Sequence, residues 1–356
     1  MNKIFLLFIY LIVFQSVSAQ KDQAADQQPK MDWWGDKDGM LNEQARLSLQ
    51  MASDVLKKYQ PAVDESPERK MALLLIDNVL HDEKANLRPA VQDFFIERYE
   101  NTIREIHDLK VENGVVIWKL YNHSFVVKTP SVTIGFDIQR SFEGKDGYIL
   151  KKKVVRELID QVDILFVTHR HADHSDEWVA ETFIEQNKPV ITPPDMWPDS
   201  KVYKFVLHPE RKIDFVQEIN LPAKGIKIKA VIYPGHQGKN IPDNVYLVFT
   251  PEGVTLAHTG DQSNQEDFSW IDKVGDKFKV DVLMVNAWTV SPDLRLPKGF
   301  RPKLIIPGHE NELGHTVDHR EPYWLNPVRF GNFRTLPWVE LFWGEKYSYH
   351  PATERK

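Results

Sequence analysis

The sequence predicts an α/β (α+β) fold of two stacked sheets behind an N-terminal helical extension, and three observations predict it. Up to about residue 110 the apolar residues recur every three or four positions, the spacing of helices that bury one face. At Glu112-Asn113-Gly114 the period changes: Asn-Gly is a tight-turn signal, and short apolar runs bounded by turn residues follow it to the end of the chain. Helical stretches separate some of those runs, and so many short strands fit two packed sheets better than one parallel sheet.

Composition narrows the function. At 356 residues the chain can bury a sizeable core, and 42% hydrophobic with 27% charged residues is ordinary for a globular protein. A formal charge of -6 argues against a general nucleic-acid binder, which needs a basic face for phosphates. Cysteine is absent, so disulfides and thiolate ligands are excluded and any metal must be held by His, Asp or Glu.

Taken in order, residues 1–19 have the layout of a secretory signal peptide: Lys3, an apolar run from Ile4 to Phe14, and small residues ending at Ala19. The run falls short of the ~20 apolar residues that span a bilayer, so no stable membrane span is expected. An exported protein, periplasmic or secreted, is the expectation from that leader. Residues 20–32 read as a polar lead-in ended by Trp33 and Trp34, and residues 20–110 as the extension. Amphipathic helices are expected over 41–59, from the Ser66-Pro67 start through Val79, and from Pro89 to about Leu109. Residues 111–356 form the main domain. Strands are expected over 115–118, 124–127, 132–137 and 163–168. A helix is expected over 148–161, and another over 176–186 with Ser175 as its cap. Later strands are expected over 190–192, 213–216, 226–233, 245–250, 254–258, 280–285, 304–306 and 339–343.

The stretch that carries chemistry is Thr168-His169-Arg170-His171-Ala172-Asp173-His174, directly after the apolar run Ile164 to Val167. Four potential ligands within six positions, at the end of a buried strand, would cost stability unless something used them. Imidazole nitrogen and carboxylate oxygen suit zinc, iron or manganese. Three later residues stand in matching context, each just past an apolar run and a glycine: His236, Asp261 and His309.

Together, His169-x-His171-x-Asp173-His174 followed by His236, Asp261 and His309 resembles the metallo-β-lactamase superfamily. The resemblance covers roughly residues 115–343 and leaves the helical extension unexplained. It implies a four-layer αβ/βα sandwich with ligands on loops along one edge of the paired sheets. It further implies two divalent metal ions: His169, His171 and His236 on one, Asp173, His174 and His309 on the other, and Asp261 bridging them. The hairpin Trp118-Lys119-Leu120-Tyr121-Asn122-His123-Ser124-Phe125 is similar to that of the branch containing ascorbate-phosphate lactonases and N-acyl-phosphatidylethanolamine phospholipase D. There a glycine precedes the histidine, and here Asn122 takes its place.

A dinuclear centre with a bridging hydroxide would cleave an ester, lactone, amide or phosphodiester bond, with the metals stabilising the charge that develops. Asp173 is expected to orient the hydroxide as well as bind a metal, and His258 to support a ligand. Candidates for the acid that protonates the leaving group are His123 and His315, with His319 and Tyr323 behind them. A bridging aspartate resembles the general hydrolases of the family, so true β-lactamase activity is not expected. Competing readings are an iron-dependent redox enzyme on the same cage and a metal-poor binding protein. The substrate is a small molecule, or a lipid-like one if Tyr323, Trp324, Phe330, Phe333, Trp338, Phe342 and Trp343 wall an apolar cleft.

Overall fold

The computed structural model describes residues 35–140, 150–290, 293–331 and 336–351. The leader 1–19, Trp33, Trp34, Phe333 and the start of the helix expected from Tyr148 lie outside the described residues. The chain packs as two units, Met1–Leu41 and Asn42–Lys356, and the second holds both sheets and every candidate ligand.

Among the described residues three α-helices come first: α1 (Lys37–Lys58), α2 (Pro67–Leu80) and α3 (Pro89–Asp108). The Ser66 hydroxyl accepts from Arg69 N at 3.2 Å, which satisfies one of the free amides at the start of α2, and Pro67 opens the helix. Their apolar stripes, such as Leu49, Leu56, Ile76, Phe95 and Ile103, are buried as expected.

Two six-stranded sheets come next. The first runs β12-β1-β2-β3-β4-β5, built from β1 (Val115–Lys119), β2 (Phe125–Lys128), β3 (Thr133–Phe136), β4 (Ile164–Phe166), β5 (Val190–Ile191) and the last strand, β12 (Lys346–Tyr349). The second runs β11-β10-β9-β8-β7-β6, built from β6 (Val216–Leu221), β7 (Ile226–Gln237), β8 (Ile241–Phe249), β9 (Thr255–His258), β10 (Val282–Asn286) and β11 (Leu304–Gly308).

Alternation along the strands makes the layers. Ile117, Val127, Ile134 and Phe166 meet Ile232, Tyr246, Leu256 and Met284 in the core between the sheets. Val116, Trp118, Val126 and Leu165 face outward into a core shared with the three leading helices and with α4 (Lys152–Ile159) and α5 (Glu177–Glu185). On the far side Val231, Leu247 and Leu283 pack under α6 (Phe268–Ile271), α7 (Val274–Lys277) and α8 (Arg295–Phe300). The result is the expected αβ/βα sandwich. Because β3 and β4 run parallel, as do β9, β10 and β11, their carboxyl ends emerge together and carry the loops of interest.

Three expectations need correction. Residues 213–216 are not a strand: Asp214 sits at φ 57 and accepts from Tyr233 Oη at 3.0 Å, so β6 begins only at Val216. Residues 339–343 are apolar because they are buried, not because they lie in a sheet. One parallel bridge joins Trp338 to Ile305, then Phe342 and Trp343 pack against Phe94 and Phe95, and the strand forms after the turn at Gly344. The cap of α5 is Asp176, whose Oδ1 accepts from Trp178 N and Val179 N, rather than Ser175.

Candidate metal centre

The loop after β4 is fixed before it reaches its first histidine. Asp137, just past β3, accepts from Thr168 N at 2.8 Å and Thr168 Oγ1 at 2.7 Å, and its Oδ2 lies 2.8 Å from His174 Nδ1. Nδ1 of His174 therefore donates to a carboxylate, which leaves Nε2 as the free lone-pair nitrogen. That Nε2 stands 3.0 Å from Asp173 Oδ2 and 3.3 Å from Asp261 Oδ1. Asn122 donates from Nδ2 to Asp173 Oδ2 at 2.9 Å, and Gln139 Nε2 to the Asp173 carbonyl at 2.6 Å.

Asp261 follows β9 through Gly260, which lies at φ 51 and where a Cβ would collide with Asp243 Oδ1. Its amide donates to Asp243 Oδ2 at 2.6 Å, while Asn286 Nδ2 holds its Oδ1 at 2.5 Å and Gln237 Nε2 its Oδ2 at 3.1 Å. His309 follows β11 at φ 75, its amide bonded to the Asn122 carbonyl at 2.9 Å. Nε2 of His309 lies 3.2 Å from Asp173 Oδ2 and 3.6 Å from Asp261 Oδ2.

Two groups of side chains result. Asp173, His174, Asp261 and His309 bring one ligand atom each to within 4.8 Å of one another, and so do His169, His171 and Asp261. Asp261 belongs to both. Of the seven ligands expected, His236 alone stays outside these groups: its Nδ1 lies 3.1 Å from Asp267 Oδ2 and its side chain is about a third exposed at 32%. Its backbone nonetheless adjoins the site, since its carbonyl accepts from Ser263 N and Asn264 N just past Asp261.

Electrostatics show what the cluster fits. Nε2 of His169, His174 and His309 is buried without a hydrogen-bond partner, a costly state unless a cation meets each nitrogen. In the metal-free protein burial opposes charge on His174 and His309, yet Asp173 and Asp261 raise His174 well above the usual imidazole range and His309 to about 9, so each binds a proton that a metal ion would replace. Burial, reinforced by His174, pushes His169 down to about 3, so it stays neutral. Burial opposes charge on Asp173 and Asp261 as well, yet His174 and His309 hold both well below the usual carboxylate range. Asp243, with burial and Asp261 against it, is held well above that range. The carboxylates of Asp137, Asp173, Asp243 and Asp261 thus crowd one pocket. Divalent cations suit such a donor set of imidazole and carboxylate.

The proposed acids separate. His123 is buried under the cluster, its ring 4.2 Å from His258 and 6.5 Å from His309, and burial holds it well below the usual imidazole range. His258 supports it: Nε2 donates to the His123 carbonyl at 3.0 Å. Tyr323 is buried in the core. His315 is half-exposed, with Nδ1 2.9 Å from Glu312 Oε2, and that carboxylate raises it above its ordinary range. It lines a cavity of about 470 Å³ with Trp288, Thr316, Asp318, His319 and Glu321. Trp288 and His315 both touch the rim of His309, at ring distances of 6.2 and 6.1 Å. A larger cavity of about 740 Å³ lies at the sheet edges around Phe205 and Glu218 and includes none of the ligand residues.

Asn122, Asp137, Asp243, Asp267, Asn286 and Glu312 are neighbours of the candidate ligands that no spacing in the sequence announces. The one available signal was a polar residue inside or at the end of a buried apolar run, as at Asn122 and Asp137. Asn122 lies at φ 56, so it adopts the backbone a glycine would favour and adds an amide that holds Asp173.

Residues 116–309 match the family model of the beta-lactamase superfamily domain. No curated protein matches the chain. Similar solved structures include Igni18, a metallo hydrolase of the archaeon Ignicoccus hospitalis, at 16% identity and TM-score 0.49, covering 67% of this chain and 100% of that one. An isothiocyanate hydrolase from Delia radicum gut bacteria is similar at 15% identity and TM-score 0.48, covering 66% and 99%. CmlA, a diiron β-hydroxylase of Streptomyces venezuelae, is similar at 14% identity and TM-score 0.46, covering 68% and 55%. None of the three carries an inference about this chain's substrate.

Proposed function

The chain belongs to the beta-lactamase superfamily, and from that premise we propose that it is a hydrolase working with two divalent ions that share Asp261. The observation that carries the reading is the meeting of two ligand groups on one carboxylate. When bound, such ions supply Lewis acidity toward the electrophile's oxygen and a nucleophile from water near neutral pH.

The chain's own residues do the rest. Asp137 sets the tautomer of His174, and Asn122 holds Asp173 so that its carboxylate keeps one orientation. His236, whose Nδ1 faces Asp267, would add its Nε2 to the group of His169 and His171. His315 offers Nε2 to the cavity while Nδ1 faces Glu312, which suits it to hand a proton to the leaving group. His123 has no such access and serves as packing under the ligands.

The cavity points to the substrate. Trp288 gives one flat wall, and imidazole, hydroxyl and carboxylate groups give the others. No lysine or arginine is among its described lining residues, which favours an ester, lactone or amide over a phosphodiester. Among the described residues, none of the tail aromatic residues that could have formed an apolar cleft lines it, and Tyr323, Phe342 and Trp343 are core. A small molecule with a polar leaving portion therefore fits better than a lipid. We take the metal as zinc, with iron or manganese as substitutes. The leader at 1–19 supports export to the periplasm or medium.

Metal-loaded protein assayed on ester, lactone, amide, phosphodiester and β-lactam reporters, beside Asp173→Ala, tests this. Hydrolysis of an ester, lactone or amide that is lost with Asp173→Ala is expected; equal rates in the two proteins would sink the proposal.

A further inference from the structure

The family match begins at residue 116, so α1 to α3 lie outside it, and no ligand comes from them. One of them nevertheless reaches the site. After β11 the chain runs as an irregular loop through His309, Glu312 and His315 to Tyr323, and residues 315 to 321 form most of the cavity wall. His309 and Asn311 hold φ of 75 and 52, conformations that side-chained residues rarely adopt, so the loop's shape must be imposed from outside.

The carboxyl end of α2 imposes it. Asp77 accepts from Asn311 Nδ2 at 2.8 Å and Tyr323 N at 2.9 Å on one oxygen, and from Trp324 N at 3.0 Å on the other, so one side chain ties both ends of the loop together. Arg320 spans the same junction. Its guanidinium donates to the carbonyls of Leu80 at 2.7 Å and Asp82 at 3.0 Å at the end of the helix. Within the loop it donates to those of His315 at 2.9 Å and Leu313 at 3.3 Å. A cation at helix carbonyls is well placed, since those acceptors have no partner inside the helix. His81, which follows α2, adds a contact from Nε2 to the Arg320 carbonyl at 3.0 Å.

Stability alone does not account for Asp77. Burial pushes its carboxyl up to about 6 despite the hydrogen bonds from Asn311, Tyr323 and Trp324, so the ionised form is costly there. What it gives in return is a fixed arrangement. We infer that Asp77 and Arg320 are positioning residues through which the helical extension sets the loop bearing His309 and the cavity wall. The inference rests on reading His309 as a metal ligand.

Two measurements on the full chain test it: amide hydrogen exchange of peptides from 309–324, and zinc affinity by competition with a chromophoric chelator. The variants are Asp77→Ala, Arg320→Ala, Asp77→Asn and, as a control, Ile103→Ala, which opens the helix-lined core and removes none of the hydrogen bonds of Asp77 or Arg320. Asp77→Ala and Arg320→Ala are expected to speed exchange in 309–324 and to weaken the ion at Asp173, His174 and His309 roughly tenfold to a hundredfold. Ile103→Ala is expected to lower Tm while leaving both readouts at wild-type values. Asp77→Asn keeps an oxygen for Asn311 and Tyr323 and is expected to recover most of the affinity. Loop exchange and affinity in Asp77→Ala no different from Ile103→Ala would overturn the inference. Should Asp77→Ala fail to fold, Arg320→Ala decides by the same criteria. A wild-type chain that holds no zinc would end the hydrolase reading, and the exchange measurement would then decide the positioning role by itself.

Discussion

The two candidate ligand groups share Asp261 but are built differently. Asp173, His174 and His309 are at most 3% exposed, and each is held by a buried partner: Asn122, Asp137 and the backbone of Asn122 in turn. On the other side His169 is buried, but His171 and His236 are partly open to solvent, and His236 leans on Asp267 instead of its fellow ligands. The lesson is one of preorganisation. A cage whose side chains already sit in place loses little freedom when an ion enters, whereas the open group must still gather its third imidazole. The group of Asp173, His174 and His309 should therefore hold its ion more tightly and release it more slowly than the group of His169, His171 and His236.

The largest test of that asymmetry is Asp173→Ala. Losing a buried carboxylate from the tight group should lower kcat by about a thousandfold or more, because the transition-state stabilisation at stake is several kcal/mol. His236→Ala, removed from the open group, should cost less in the same assay; a larger loss would reverse the comparison.

Next comes the pH dependence of the brace behind the tight group. Asp77 has its folded pKa raised to about 6, chiefly by burial, with nearby His81 acting against the rise. A group raised in this way contributes its stability below the unfolded value and loses it as pH climbs through the folded one. Relative to Asp77→Asn, the wild type should thus lose up to about 3 kcal/mol between pH 4 and pH 6 and nothing further above that. Urea midpoints at pH 4.5, 6 and 7.5 check the sign; a difference that grows in favour of the wild type across this window would contradict it.

Smaller still are the partners of the imidazoles. Asp137→Asn removes the carboxylate that orients His174 and should weaken the tighter ion by roughly tenfold to a hundredfold, read by chelator competition. Asp267→Asn should weaken the looser ion by about tenfold at most, since His236 is already partly solvated. Equal effects of the two would erase the distinction between the groups.

Much of this was legible in the sequence because chemistry and pattern coincided. His169 to His174 are dense enough to announce a metal, and Asp261 and His309 each follow a strand, while β7 runs past the expected 226–233 so that His236 lies near its end, paired with Pro242. The helices of the extension were equally plain from their apolar stripes. What stayed hidden depends on partners far apart in sequence. Asp137 and His174 are 37 positions apart, and Asp77 reaches Asn311 across 234. Nothing local marks such pairs. The run at 339–343 misled for a related reason: apolar composition reports burial, and here the core between the sheets buries Val339 and Leu341 and the helix-lined core buries Phe342 and Trp343 without a strand forming. Of the aromatic tail, Tyr323, Phe330, Phe342 and Trp343 are core, whereas Trp324 is exposed.

Native mass spectrometry of the zinc-loaded chain during stepwise chelation tests the central claim most directly. Two ions per chain are predicted, leaving one before the other, with Asp173→Ala retaining at most the loosely held one. A wild-type chain that never holds more than one ion, or an Asp173→Ala chain that holds two as firmly as the wild type, would contradict the account.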